Sequence, residues 1–491
     1  MPVPPVRVTN ENALPEHPER DFVLYWMIGA RRSTHNFALD HARDIAARLT
    51  KPLVVLEPLR AGYRWASDRL HTFVIEGMRD NAAAFSRARI AYHPYVEPAP
   101  GDGRGLLASL GRHACAIVTD DVPGFFQPRM VKAAAHKVDV ALMSVDANGL
   151  YPIGATDKTF PTAYAFRRHL QKQLPPHFAE RPRDTLTRAS TEPVALPPDV
   201  LRRWPAADLT DVARLVASLP IDHAVRAVPT PGGSAAAARA LETFIARRLA
   251  RYATERSEPD ADAASGLSPY LHFGHIGAHA VFDALAAHER WDPSKAGGIT
   301  SGQKDGFWGM SAAAESFLDE LVTWRELGFH TAKKLPAFDR YESLPPWARA
   351  SLDKHVGDGR AHTYTLAQLA DAETHDPIWN AAQRQLVREG TMHNYLRMLW
   401  GKKVLEWSRT PQQAVEYLIE LNNRYALDGR DPNSYSGILW CFGRYDRPWG
   451  PERPIFGVIR YMSSDNTKRK FSLTKYLEKY GEQSAAQPAL L

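Results

Sequence analysis

The chain has 491 residues, of which 44% are hydrophobic and 24% charged, with a formal net charge of +6. That balance excludes a largely disordered chain and gives room for two or three domains with sizeable cores. Only Cys115 and Cys441 occur, too few for a disulfide framework or a cysteine metal cluster, and no apolar run approaches the ~20 residues that span a bilayer.

The start, MPVPPVRV, lacks the basic-then-apolar pattern of a signal peptide, so a cytoplasmic protein with no membrane partner is expected. The modest positive charge permits a polyanionic partner without requiring one. Asp21 to Met27 reads as a buried strand, Asn36 to Leu49 as a helix and Leu53 to Leu56 as the next strand. The alternation continues with a helix over Leu70 to Ala88, a strand at Ile90 to Val96 and a helix near Leu106 to His113. Strands at Ala116 to Thr119 and Val140 to Val145 come next. This order predicts a parallel sheet covered on both faces, an α/β domain over residues 1–180. Ligands of such sheets bind beyond the carboxyl ends of the strands, so Met27 to Arg32 and Glu57 to Arg60 would border a site. The glycine-rich dinucleotide fingerprint is absent after Ile28-Gly-Ala30, which disfavours a nicotinamide cofactor.

Residues 181–234 are richer in proline and polar residues and read as a surface connection, with a short helix near Asp208 to Ala217. From Ala235 to Thr254 a long helix is expected, and residues 235–480 read as an all-α domain. Residues 481–491 read as a frayed tail. Within the helical part, Ser265-Gly266-Leu267-Ser268-Pro269 looks like a helix start with Ser268 as N-cap, whose free N–H groups suit a phosphate. Glu320 and Trp324, one turn apart, can direct a carboxylate and an indole into one cavity.

The stretch from His375 to Trp440 is densest in groups that are costly to bury. Two helical runs meet at Gly390, and on the second His393, Arg397, Trp400, Val404 and Trp407 share one face. An arginine on that apolar face needs a carboxylate, and Asp428 in the loop Asp428-Gly-Arg-Asp431 is the nearest candidate.

The segments HDPIWNAAQRQL, MHNYLRM, WGKKVLEW and LDGRDPNSY, with LSPYLHFG and FLDELVTWREL upstream, resemble the DNA photolyase/cryptochrome family, nearest its class II cyclobutane pyrimidine dimer branch. The resemblance spans most of the chain. It implies FAD in the helical domain, with Tyr252, Ser265, Gly266, Leu267 and Ser268 at the diphosphate. Asn380 falls in the matching NAA segment, and Arg397 and Asp428 would lie against the flavin ring. Asn422 would face flavin N5, with Asn433 as the rival for that place. It implies a dimer pocket of Glu320, Trp324, Asn394, Met398 and Trp440, and an electron path of Trp379, Trp400 and Trp407. UV-damaged DNA carrying a flipped pyrimidine dimer is the implied partner, with Arg256, Arg444, Arg447 and Arg453 near its phosphates. A monomer is expected, and a second antenna chromophore of deazaflavin or folate type stays open.

The family's implied activity is light-driven dimer repair by electron transfer from reduced FAD, a deoxyribodipyrimidine photo-lyase. A cryptochrome-like photoreceptor is the alternative. Asn394 stands where the class II branch carries a glycine, and MHN resembles the class I branch. The branch that repairs the (6-4) adduct has paired histidines here, whereas His393 stands alone, which favours dimer repair.

Overall fold

A computed structural model describes residues 2–482 of the chain, so the expected tail lies outside the described residues from 483 onward. The apolar runs of the first third form strands β1 (Val8–Asn10), β2 (Phe22–Trp26), β3 (Leu53–Leu59), β4 (Ala91–Val96), β5 (Ala114–Asp120) and β6 (Leu142–Val145). They make one sheet in the order β1-β6-β5-β2-β3-β4. All neighbours pair in parallel, Val23 opposite Leu53 and Trp26 opposite Thr119, except β1, which runs antiparallel to β6. β1 is the strand that sequence reading missed, because three partly polar residues carry no periodicity and take their place only by pairing with β6.

Every residue of β2 and β5 is buried. Phe22, Leu24 and Trp26 join Ile117 in one core, while Val23 and Tyr25 join Val55 and Val118 in another. The two cores are the two faces of the sheet, which is why these strands read as unbroken apolar runs. Helices α1 (Phe37–Leu49), α2 (Asp68–Arg87), α3 (Leu106–Gly111) and α4 (Gln127–Ala135) cover them. Asn36 starts α1 by accepting from the N–H groups of Ala38 and Leu39.

The connection through residues 181–234 is more than a surface tether. It carries two short helices, Pro198–Arg203 and Val212–Ala217, and returns Trp204 to the core beside Leu106 and Leu110. Val216 and Leu219 pack on Val74 and Met78 of α2.

The rest is helical. α5 (Ser234–Thr243) and α6 (Leu249–Glu255) are joined by a π turn at Phe244–Arg248, so the single long helix expected there is interrupted. α7 (Ser268–His272) comes after them. A second π turn, Asp319–Trp324, joins α8 (Ala312–Leu318) to α9 (Arg325–Lys334). α10 (Pro377–Glu389) ends at Gly390, whose φ of 69° is the left-handed cap that glycine adopts at no cost. α11 (Asn394–Trp407), α12 (Pro411–Tyr425) and α13 (Pro432–Trp440) complete the site.

The two halves are locked together by a close backbone approach and by side chains that bond the backbone of the other half. At Gly274 (φ 73°) an added Cβ would lie 1.9 Å from the Gly29 carbonyl oxygen. Arg32 donates to the Gly274 carbonyl at 3.1 Å, and Glu326 of α9 accepts from Leu150 N at 2.7 Å and Tyr151 N at 3.1 Å.

Candidate active site

The helical half encloses a cavity of about 510 Å³, within the size range of cofactor pockets. Both π turns adjoin it. Each inserts one extra residue and so rotates the downstream side chains by about 100° relative to an unbroken helix. Tyr252 stands in the turn after the first, and Glu320 and Trp324 lie within the second. All three line the cavity.

One wall is ionic. Arg397 of α11 donates to Asp428 from Nη1 and Nη2 at 3.2 and 3.3 Å, the pair read from the sequence. Burial opposes the Asp428 charge, but Arg397 outweighs it, with help from the Ser268 hydroxyl, and holds the carboxyl below its usual range. Arg397 Nε is buried without a protein partner. A second pair faces it, in which Arg256 Nη1 donates to Glu320 Oε1. Burial raises Glu320 above the ordinary carboxyl value despite Arg256. Burial alone would lower Arg256, yet Glu320 and Tyr252 together raise it. Arg256 therefore enters the cavity and does not sit on an outer phosphate track.

The other wall is aromatic and neutral. Trp324, Met398, Asn394 and Trp440 border the space, with Asn433 at the start of α13. Ser265 and Ser268 line its far end. Ser268 is the first residue of α7 and not its N-cap, because Leu267 already has helical angles (φ −87°, ψ −13°). Gly266 takes φ 71°, with open space around its Cα, and Leu267 is buried in the core.

Several expected residues lie elsewhere. Asn422 is buried one layer behind the cavity, its amide donating to Ser434 Oγ at 2.9 Å and Asn423 Oδ1 at 3.2 Å. Asn380 ties its own loop, accepting from Thr374 Oγ1 at 2.7 Å and donating to Thr374 O at 2.8 Å. Arg444 is buried and donates to the Phe338 carbonyl at 2.7 Å, so it is not free for a phosphate. Arg447 and Arg453 are exposed, over Trp449 and Tyr461.

The three tryptophans form a continuous buried stack. Trp400 and Trp379 are parallel within 9° at 6.3 Å, and Trp407 meets Trp379 edge-on at 5.6 Å. Trp379 of α10 thus sits between the two residues of α11 that the helical stripe had put together. Its indole donates to the Trp400 carbonyl at 3.1 Å, and the Trp400 indole donates to Gln383 at 3.0 Å.

Sequence reading missed Lys304 and Arg325, which also line the cavity. No local pattern marks them, since they arrive from separate loops and helix faces. A second crevice, of about 120 Å³, opens at the strand ends, bordered by Ile28 to Arg32 and Pro58 to Arg60 as the strand order implies. Phe125, Phe126 and, from the helical half, Gly274 and Arg430 close it.

No family model matches the chain. It is 33% identical over 479 residues to the deoxyribodipyrimidine photo-lyase of Methanothermobacter thermautotrophicus, covering 96% of this chain and 97% of that one. The chain belongs to the deoxyribodipyrimidine photo-lyase family. The photo-lyases of Potorous tridactylus (32% identical, 96% of this chain, 84% of that one) and Arabidopsis thaliana (34%, 93% and 88%) are similar along comparable lengths. The photolyase fold is shared with a class III photolyase of Agrobacterium tumefaciens (TM-score 0.66, 18% identity, 94% of this chain and 86% of that one). It is shared too with a Synechocystis cryptochrome (TM-score 0.66, 12% identity, 94% and 88%). The family implies a flavin. The residues fit one: a cavity of cofactor size, a buried Arg397 Nε without a protein partner and the Ser265 and Ser268 hydroxyls in its lining. No helix of the described residues is long and apolar enough to cross a membrane, and no described cluster of His, Cys, Asp and Glu could hold a metal.

Proposed function

We propose that this photo-lyase repairs cyclobutane pyrimidine dimers in UV-damaged DNA, as a member of the class II branch. The observation that carries the reading is the cavity itself, where the Arg397–Asp428 pair suited to a flavin and an aromatic wall suited to stacked pyrimidines, with the Glu320 carboxylate beside it, line one space. When bound, reduced FAD supplies on excitation the electron that opens the dimer. Arg397 and Asp428 hold a fixed charge pair against the flavin ring, and Ser265, Ser268 and Tyr252 serve its diphosphate end. Trp324 and Trp440 wall the dimer, while Met398 and Asn394 complete its pocket.

Glu320 hydrogen-bonds the pyrimidine carbonyl edge. As a carboxylate it only accepts, so burial, which favours its protonated form, helps it donate to a carbonyl. The lesion leaves the duplex to reach this enclosed site, and a damaged base is the cheapest to unstack. Arg447 and Arg453 contact flanking phosphates from the surface. Trp400, Trp379 and Trp407 pass an electron inward to reactivate oxidised flavin. An antenna chromophore of deazaflavin or folate type, if one is carried, would border the strand ends, where the crevice of about 120 Å³ is smaller than such a ring system needs and would have to open.

The test is loss of the dimer from a thymine-dimer oligonucleotide under blue light with a reductant, against a dark control. Light-dependent loss is expected; bound flavin without repair would overturn the reading in favour of a photoreceptor.

A further inference from the structure

We propose that Lys402 is a positioning residue for dimer repair, a cation held behind the Trp440 wall so that the cavity carries a positive field where the dimer becomes transiently negative. The inference rests on the repair reading above. Lys402 is 0% exposed in the middle of α11. Its Nζ donates to the Cys441 carbonyl at 2.6 Å and stands 5.3 Å from the Trp440 ring centroid. Among the described residues no carboxylate oxygen comes within the 4.0 Å ion-pair distance of Nζ.

An unpaired buried ammonium is among the most expensive groups a core can hold, and an apolar side chain of the same length would fill the space at less cost. The groups facing it do not remove that cost. The Cys441 thiol is pushed up to about 11 by burial and stays neutral. Asp446 lies beyond pairing distance and spends Oδ1 on the Trp449 indole at 2.9 Å. Arg460, exposed at the cavity mouth, is a second cation over the same Trp440 ring, at 5.7 Å. Burial lowers Lys402 to about 8, which leaves it largely protonated near pH 7.

Two cations thus lie 5.3 and 5.7 Å from the centroid of the indole that walls the dimer. In repair the dimer takes up one electron, its two inter-base C–C bonds break to give two separate pyrimidines, and the electron returns to its source. No net electron is consumed, and Lys402 gains or loses no proton. A fixed positive charge buried behind the site favours the state in which the extra electron resides on the dimer, and so lengthens the time available for bond cleavage.

A purely structural role is the competing account, since a cation at the end of α13 also satisfies a terminal carbonyl. The variant Lys402→Met separates the two. The positioning role has it melt no lower than the unaltered protein, bind lesion DNA in the dark unchanged, and repair with a several-fold lower yield per absorbed photon near pH 7. In the unaltered protein the yield declines as pH rises through about 8, whereas the variant's yield stays flat. The stability difference also narrows there, because a lysine depressed in the folded state destabilises most below that pH. An unchanged yield overturns the proposal, as does a lower melting temperature with the yield lost equally at every pH. Absence of any light-dependent repair by the unaltered protein overturns the repair reading, and this inference with it.

Discussion

The Asp428→Asn substitution tests the ionic wall most directly. It leaves the Arg397 guanidinium facing an amide, with Nε already lacking a protein partner. Breaking one side of a fully buried pair costs about 3–5 kcal/mol, and an exposed pair is worth about 0.2–1 kcal/mol. Here the side chains are 19% and 11% exposed, and the N–O separation of 3.2 Å is longer than in the tightest charge-assisted bonds. About 2 kcal/mol is therefore expected, between those limits. Urea unfolding of flavin-stripped protein measures it, with Arg397→Met and the double variant closing a cycle. The coupling should reach about 1 kcal/mol or more, and a value below about 0.5 kcal/mol would refute the pair. The pH dependence has a fixed sign. Asp428 is held below its unfolded value, so its contribution is complete above that value and is lost as pH falls through the folded one. The variant and the unaltered protein should therefore converge in acid. Flavin retained on purification should fall in the same variant.

Other expected outcomes rest on single contacts. Trp400→Phe should slow photoreduction of oxidised flavin, monitored by absorbance under continuous light, while repair by pre-reduced protein persists. It should also cost about 1–3 kcal/mol, because Gln383 loses its indole partner in the core. Gly274→Ala places a methyl against the Gly29 carbonyl at a positive φ, and proteolysis should then cut between the two halves well below the melting temperature of the unaltered protein. Arg444→Ala should lower the melting temperature without changing the salt dependence of DNA binding. Arg447→Gln and Arg453→Gln should each reduce the log–log salt slope by about 0.9 with no loss of stability.

Much of this protein is legible because its signals are local. Continuous apolar runs announce buried parallel strands, and a glycine between two helical runs marks their boundary. An arginine on an apolar stripe demands a carboxylate, and Asp428 is near enough in sequence to be named. β1 was not legible, since its residues carry no pattern apart from their partner strand. The interruptions at Phe244–Arg248 and Asp319–Trp324 were not legible either, because the helices on each side are too short for their apolar stripes to reveal a shift in phase.

By itself, then, the sequence determined the α/β-then-helical order, the cation–carboxylate pair and the set of aromatic residues, all of which depend on spacing and side-chain chemistry. Tertiary structure alone decided which of those groups meet. It turned Arg444 inward and left Arg447 outside, engaged Asn380 and Asn422 with neighbours, and set Arg256 on Glu320. It also placed Trp379 between Trp400 and Trp407. Such choices turn on contacts between residues far apart in the chain, where one π turn or one carbonyl in need of a donor redirects a side chain.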